Sequence, residues 1–214
     1  MGSHRWASDH NETKFYGARD NSAHTPEQTE IGLFYTEHTG AQNNRIFREF
    51  ALSRRQGVTD NARLFAMLYL AGADSLIADW DSKYYFRFRR PVTAIRPGAA
   101  DGNHLTEADQ NWTSLAATPK HPEYPAAHGC LTAAFAETLR AFYGTKKVNV
   151  TLSSTVTNAK REFSNTEDLI EEIVDARTFG GMHFRASGED GATIGRKVVR
   201  WMKRFYFRPS AAAS

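Results

Sequence analysis

The sequence predicts an all-α protein, a helix bundle of roughly six helices with long connecting loops. Two observations support this prediction. Apolar residues recur at three- and four-residue spacing through most of the chain, and only one short segment, 148–152, alternates as a strand does. With 214 residues, of which 41% are hydrophobic and 24% charged, the chain can bury one substantial core without disulfides.

The chain is expected to divide into three parts. A polar N-terminal arm over 1–24, loose or partly ordered, precedes a helical domain over 25–207 and a short tail over 208–214. The domain is expected to open with a helix, because Thr25 can cap a helix and Pro26 suits its first position.

Two further helices are predicted before the first proline-rich loop. One covers about residues 41–55 and ends at Gly57. Its inner side would carry Ile46, Phe47, Phe50 and Leu52. The other runs from about 59 to 85 and is apolar around much of its circumference, which predicts a central, buried position. Pro91 is expected to stop it, because proline cannot continue a helix.

Three more helices are predicted in the second half of the chain. Small and apolar residues recur from 127 to 143, and Gly144 is a typical helix end. Ser164 and Glu167 have the spacing of a capping box at the start of the next helix. The last helix is predicted over 189–205, acidic in its first turn and basic at its end, as the helix dipole favours.

Charge and cysteine content exclude several classes of function. The net charge is only +3 and is not gathered in a basic run, so nucleic-acid binding is not expected. The single cysteine, Cys130, is expected to be a small buried hydrophobe. No segment approaches the roughly 18–20 apolar residues of a membrane span. The chain start lacks the apolar run of a signal peptide, which leaves the compartment open, secreted and periplasmic locations included.

Three places combine cationic or imidazole side chains with a helix break. In the first, Lys83 and Arg90 are seven residues apart, about two helical turns, so they are expected to point the same way just before Pro91. In the second, His128 follows Pro125 and two small residues at a helix start, where unsatisfied N–H groups attract anions.

In the third place, Arg177 and His183 flank Gly180–Gly181, which lets the chain bend so that both side chains face one pocket. Taken singly, each place is an ordinary helix end, cap or loop. Together they supply three cations and two imidazoles, which suit a multiply charged tetrahedral oxyanion such as vanadate or phosphate. A divalent cation is not expected, because no carboxylate cluster, zinc motif or Walker-type phosphate loop occurs in the sequence.

The order and spacing of these motifs resemble the signature of the vanadium-dependent haloperoxidase and type 2 phosphatidic acid phosphatase superfamily. The motifs are Lys-x6-Arg-Pro at 83–91, Pro-x-x-His at 125–128 and Arg-x5-His at 177–183. Flanking segments such as Asp-Trp-Asp-Ser-Lys at 79–83 are similar to the sequences of soluble haloperoxidase-type members. The resemblance covers roughly residues 25–205.

The resemblance implies a helical bundle that holds vanadate, with phosphate as a competing oxyanion. The oxyanion-binding residues would be Lys83, Arg90, Ala127, Arg177 and His183. The catalytic residues would be His128, His183 and Lys83. Of these, His128 would be the acid–base group, and His183 would be the ligand to vanadium or the nucleophile of a phosphatase. The implied reaction is oxidation of a halide by hydrogen peroxide to hypohalous acid, which then halogenates a small organic substrate.

Two positions bear on the halide. Trp80 lies three residues before Lys83, where related chloroperoxidases carry a tryptophan. His121 lies seven residues before His128, where bromoperoxidases carry a histidine and chloroperoxidases a phenylalanine. A core aromatic and a loop histidine are equally compatible interpretations, and the resemblance favours bromide over chloride.

Several departures from the family pattern bear on activity. Ala126 replaces a serine whose hydroxyl would donate to the oxyanion, a loss of on the order of 10²-fold in rate if nothing substitutes. Ala176 replaces the usual serine before Arg177, and Ala186 replaces the aspartate that orients the histidine in the phosphatases. Members are often longer, with an N-terminal half that this chain lacks, so a minimal or truncated form is expected.

Three functions therefore stay open. The leading hypothesis is a vanadate-dependent haloperoxidase whose partners are hydrogen peroxide, halide and a small organic substrate. The second is a soluble acid phosphatase acting through a phosphohistidine on His183. The third is a non-catalytic oxyanion-binding protein, which Ala126 favours. A homo-oligomer is compatible with each of these functions.

Overall fold

The computed structural model describes residues 1–208, except the side chain of Ala99. The helices are α1 His4–Tyr16, α2 Pro26–Phe34, α3 Thr39–Arg54, α4 Val58–Phe86, α5 Pro91–Ile95, α6 Ala127–Tyr143, α7 Thr166–Phe179 and α8 Arg185–Phe205. Strands β1 Val150–Ser153 and β2 Lys160–Phe163 form an antiparallel pair. The all-α prediction is confirmed, with more helices than the predicted six because α1 and the short α5 were missed.

Helix α6 lies at the centre of the bundle, packed against α4, α7 and α8. It covers the predicted residues and ends at Gly144, whose φ of +72° suits glycine. Glycines on α8 let the two backbones approach closely, since a Cβ added at Gly195 would lie 2.1 Å from the carbonyl oxygen of Cys130. Cys130 is fully buried, as predicted.

The prediction that α4 is the central helix is wrong. Its inner side is buried, with Leu64 and Leu68 in the core, but Ile77 is 68% exposed. The helix ends at Phe86, where Arg87 adopts a left-handed conformation with φ 49°. Pro91 does not stop α4 but begins α5. Lys83 and Arg90 therefore do not share a helix, and the two-turn spacing does not explain their placement.

The segment expected to be a loose arm over 1–24 contains helix α1 instead. Ser3 caps this helix by accepting a hydrogen bond from the N–H of Trp6. The buried face includes the polar His10 and Thr13, which is why an apolar periodicity was not visible. Its Trp6 ring packs edge-on against Phe184, with ring centroids 4.9 Å apart, so α1 supports the start of α8.

Several element ends differ from the prediction for local reasons. Helix α2 has the predicted cap, but α3 ends one residue before Arg55, which is left-handed, and not at Gly57. Leu52, placed on the inner side, is 79% exposed. The cap of α7 is Asn165, which accepts from the N–H of Glu167, so the capping box predicted at Ser164 is wrong.

Helix α8 begins at Arg185, four residues earlier than predicted, so the acidic residues at 189 and 190 lie beyond its first turn, while its basic last turn is as predicted. None of the helices within 1–208 combines the length and the apolar composition that a membrane crossing requires. The predicted tail lies outside the described residues from position 209 onward.

Candidate oxyanion site

A cavity of about 310 Å³ lies where the start of α6 meets the end of α7 and the loop that precedes α6. The structure brings six of the predicted site residues to its lining, namely Trp80, His121, Ala127, His128, Arg177 and His183. The other two, Lys83 and Arg90, adjoin this lining from α4 and from the loop before α5.

Lys83 holds the loop before α6 in place. Its side chain is completely buried, and its Nζ donates to the carbonyl oxygens of Pro122 at 3.2 Å and Glu123 at 2.9 Å, and also to that of Pro125. Burial lowers the pKa of Lys83 to about 8, against the opposing effect of Asp79, whose Oδ2 is 3.9 Å from Nζ. Lys83 thus contributes positive charge to the site and also fixes the conformation of the loop before α6.

Arg90 is fully bonded within the described residues. Its Nε donates to the carbonyl oxygen of His121 at 2.8 Å, and Nη1 donates to that of Met182 at 2.9 Å. Nη1 also lies 3.1 Å from Nε2 of His183, and Nη2 lies 3.0 Å from Nδ1 of His121. Burial lowers the pKa of Arg90 to about 10. The guanidinium of Arg90 therefore bridges His121, a halide-site candidate, and His183, the candidate vanadium ligand.

Arg177 is the least satisfied cation of the three. It is 3% exposed, and its Nε has no hydrogen-bond acceptor among residues 1–208. Its other nitrogens reach the carbonyl oxygen of Tyr35 at 3.4 Å and the sulfur of Met182 at 3.0 Å, which are weak acceptors by distance or by type. Burial, and secondarily the charge of Arg90, lower its pKa to about 9. An anion in the cavity would supply the acceptors that this guanidinium lacks.

His183 is buried and held from both sides. Its Nδ1 lies 3.0 Å from a carboxylate oxygen of Glu123, and its Nε2 faces Arg90. Burial, with the charges of Arg90 and Arg177, holds the pKa of His183 well below its usual value. The imidazole is therefore neutral near pH 7, as a metal ligand or nucleophile must be.

Glu123 is a site residue that the sequence motifs did not predict. It is fully buried, and burial raises its pKa to about 7. The sequence contained one signal for it: Ala186 stands where the family pattern has a histidine-orienting aspartate, and Glu123 lies two residues before the second motif, five residues before His128. Which carboxylate substitutes for the aspartate depends on how the loop folds, so spacing alone could not identify it.

His128 and the first turn of α6 form the opposite side of the cavity. His128 Nε2 lies 3.2 Å from the hydroxyl oxygen of Thr39. Burial, with the charges of Arg177 and Lys83, holds the pKa of His128 well below its usual value. The residue before this helix, Ala126, provides no side-chain cap. The first N–H groups of α6, that of Ala127 included, are therefore available to an anion, as at other anion-binding helix starts.

The two halide-site candidates are in contact with each other. The rings of Trp80 and His121 have centroids 4.7 Å apart, and Trp80 is 37% exposed at the cavity rim. Burial and the charges of Arg90 and Lys83 lower the pKa of His121 to about 4, so its ring is neutral at physiological pH. The pair forms an aromatic edge of the cavity next to a guanidinium.

Asp79 is a second buried carboxylate close to the site. It is fully buried, and neither oxygen has a hydrogen-bond donor among the described residues. Burial raises its pKa to about 6, although Lys83 opposes the shift. Its charge partly offsets that of Lys83 but does not face the cavity lining.

Comparisons with known proteins agree with this architecture. A family model described as the VCPO second helical-bundle domain matches residues 63–210. The vanadium chloroperoxidase of Curvularia inaequalis is 26% identical over 153 residues, which cover 59% of this chain and 24% of that protein. A bacterial vanadium-dependent iodoperoxidase structure has a TM-score of 0.75 at 24% identity, covering 91% of this chain and 48% of that one.

A holo-type bacterial vanadium-dependent chloroperoxidase structure has a TM-score of 0.66 at 19% identity, covering 92% of this chain and 48% of that one. The chain therefore spans about half the length of these solved relatives and about a quarter of the curated one. At such identities the structural similarity shows a shared fold and not a shared function.

Proposed function

Because the chain belongs to the family of the VCPO second helical-bundle domain, within the vanadium haloperoxidase superfamily that its motifs resemble, we propose that it is a vanadate-dependent haloperoxidase. The observation that carries the proposal is the pairing of Arg177, a buried guanidinium with an unsatisfied Nε, with the neutral imidazole of His183 on the lining of one cavity. A tetrahedral oxyanion matches both groups, because it accepts hydrogen bonds and offers a centre to a nitrogen lone pair.

The residues present fit vanadate. Lys83, Arg90 and Arg177 give the site three cationic groups, against two buried carboxylates nearby, Glu123 and Asp79. His183 would hold vanadate through Nε2, and Arg177 with the first N–H groups of α6 would bind its oxygens. When bound, vanadate supplies the chemistry that activates hydrogen peroxide toward a halide.

The chain's own residues then have distinct tasks. His128 would hold and move a proton at Nε2, which lies 3.2 Å from the hydroxyl oxygen of Thr39. Arg90, whose Nη1 lies 3.1 Å from Nε2 of His183, would have to give up this contact for Nε2 to bind vanadate. The aromatic edge of Trp80 and His121 would admit the halide, with bromide favoured by the histidine at 121.

A second candidate function is phosphatase activity through a phosphohistidine on His183. The contact between Glu123 and His183 favours it, because a carboxylate again supports the imidazole although position 186 is alanine. A third candidate, anion binding without catalysis, is favoured by Ala126, since its methyl group offers no hydrogen-bond donor to the oxyanion.

One paired experiment separates the three. The protein is reconstituted with orthovanadate and assayed for bromide oxidation by hydrogen peroxide, and the vanadate-free protein is assayed on an aryl phosphate. We expect bromination that disappears in His183→Ala and persists in His104→Ala, an exposed histidine used as the matched control. Phosphate release alone would replace the proposal with a phosphatase. Failure of both assays, with phosphate still raising the melting temperature, would leave only anion binding.

A further inference from the structure

We propose that Glu123 is the positioning residue of this site, which fixes His183 as the tautomer with its proton on Nδ1 and an unprotonated Nε2, whose lone pair the oxyanion would take over from Arg90. The inference rests on the proposed oxyanion site, and it holds for the peroxidase and the phosphatase alike. It adds a residue outside the three motifs that predicted the site.

The carboxylate of Glu123 is fixed at both oxygens. Oε1 lies 3.0 Å from Nδ1 of His183 and accepts from the backbone N–H of Phe184 at 3.0 Å, and Oε2 accepts from the hydroxyl of Ser187 at 2.7 Å. The backbone on either side is also held, because the N–H of Glu123 donates to the carbonyl oxygen of Phe88 and its carbonyl oxygen accepts from Lys83. A fully buried carboxylate with these bonds has one orientation open to it.

The tautomer of His183 follows from its two neighbours. A carboxylate oxygen accepts a proton from Nδ1, and a guanidinium only donates, so Arg90 at 3.1 Å requires a lone pair on Nε2. Both contacts demand the same proton position. The alternative tautomer would place an N–H against the N–H of Arg90 and a lone pair against Glu123, which are two repulsive contacts in a buried site.

The backbone at position 186 is engaged elsewhere. The N–H of Ala186 donates to the carboxylate of Asp9 on α1 at 3.2 Å, and its methyl group cannot bond to an imidazole. The role that the family pattern gives to an aspartate three residues after the histidine is therefore filled from the loop before α6. A glutamate there reaches Nδ1 because Lys83 and Phe88 hold the loop against α4 and the start of α5.

The tautomer can be measured without vanadate, by 15N NMR of the full chain labelled at histidine nitrogens, with the His183 signals assigned by their loss in His183→Gln. In the unsubstituted protein we expect a protonated Nδ1 and an unprotonated Nε2. A protonated Nε2 in the neutral ring would overturn the proposal, and this measurement does not depend on the folding of any Glu123 variant. It is also independent of bromination, so its failure and that of the proposed function are distinguishable.

Two variants then test the role in binding, with inorganic phosphate and orthovanadate as the probes in calorimetric titrations. Glu123→Leu removes the acceptor at similar size, and we expect mixed tautomers and a loss of about 10–100-fold in oxyanion affinity, as for other residues that orient a ligating histidine. Glu123→Gln keeps a carbonyl oxygen for Nδ1 and should restore both the tautomer and most of the affinity.

Asp79→Asn is the matched control, because Asp79 is another fully buried carboxylate, and none of its hydrogen bonds or ion pairs joins it to His183. It should leave the His183 tautomer unchanged. An affinity and a tautomer in Glu123→Leu equal to those of the unsubstituted protein would overturn the proposal, as would equal tautomer changes in Glu123→Leu and Asp79→Asn.

Discussion

Replacing Arg177 by methionine should stabilise the ligand-free protein and abolish its stabilisation by anions. The guanidinium is 3% exposed, its Nε has no acceptor among the described residues, and its remaining contacts are the carbonyl oxygen of Tyr35 at 3.4 Å and the sulfur of Met182. Few good hydrogen bonds are lost in Arg177→Met, and a poorly compensated buried charge is removed. Arg177 is therefore expected to lower the stability of the fold without an anion and to contribute directly to anion binding.

The magnitude follows from the pKa of the group. Burial, together with the charge of Arg90, lowers the pKa of Arg177 from 12.5 to about 9. A shift of that size corresponds to about 5 kcal/mol against the charged form at any pH below 9. Apolar replacements of buried charges recover about 1–4 kcal/mol. We expect Arg177→Met to raise the free energy of unfolding by that amount, and the melting temperature by about 2–4 °C for each kcal/mol.

The assay is equilibrium unfolding in urea at pH 7, with and without inorganic phosphate. Saturating phosphate at 100 times its dissociation constant should add about 2.7 kcal/mol to the unsubstituted protein and almost nothing to Arg177→Met. Arg90→Met is the control, since it leaves the carbonyl oxygens of His121 and Met182 without their donor and should destabilise by about 1–3 kcal/mol for each. An Arg177→Met protein that is less stable than its parent without phosphate, or fully stabilised by phosphate, would refute the reasoning.

Three further predictions concern the bundle, the pH dependence and the halide. Gly195→Ala places a Cβ 2.1 Å from the carbonyl oxygen of Cys130 and should lower the free energy of unfolding by about 1–3 kcal/mol. The control Gly57→Ala, whose Cβ meets nothing within 4 Å, should change it by less than about 1 kcal/mol. Equal losses of stability in urea unfolding would contradict the close packing of α8 against α6. Between pH 3.8 and about 6, the raised pKa of Asp79 means that the folded state holds a proton that the unfolded state releases, so the free energy of unfolding of the parent falls as pH rises. The stability of Asp79→Asn relative to the parent should therefore increase by about 1.4 kcal/mol per pH unit over that window and level off above it. A difference that does not change with pH would be the contrary result. In the vanadate-reconstituted protein, His121→Phe should lower the ratio of kcat/KM for bromide to that for chloride, and an unchanged ratio would remove His121 from the halide site.

The parts of the fold that the sequence predicted well are those bounded by strong local signals. Helix α6 was predicted to the residue because a proline-rich segment precedes it and Gly144 ends it in a left-handed conformation. Helix α1 was missed because its buried face contains His10 and Thr13, which carry no apolar periodicity. Helix α4 was misplaced because apolar residues on its outer face, such as Ile77, are exposed in this chain, and composition does not distinguish a buried face from an exposed one.

The site residues were predictable as a set, but the reason for their proximity was only partly so. Lys83 and Arg90 were expected to meet along one helix, and they meet instead because both donate to the carbonyl oxygen of Pro122. For Arg177 and His183 the expected bend is present, since Gly181 has a φ of +70°. Glu123 was not predicted because its partner lies 60 positions away, and only the folded loop brings them together.

The distribution of hydrogen bonds among the three cations indicates which of them would discriminate between anions. Lys83 and Arg90 already donate to backbone carbonyls, so an incoming oxyanion would gain mainly their charge. Arg177 has donors to offer, and the start of α6 lacks a side-chain cap, so directional contacts would come from these two groups. Charge acts at a distance and favours any multivalent anion, whereas directional donors favour a tetrahedral one. Shape selectivity in this site should therefore depend on Arg177 and total affinity on all three cations.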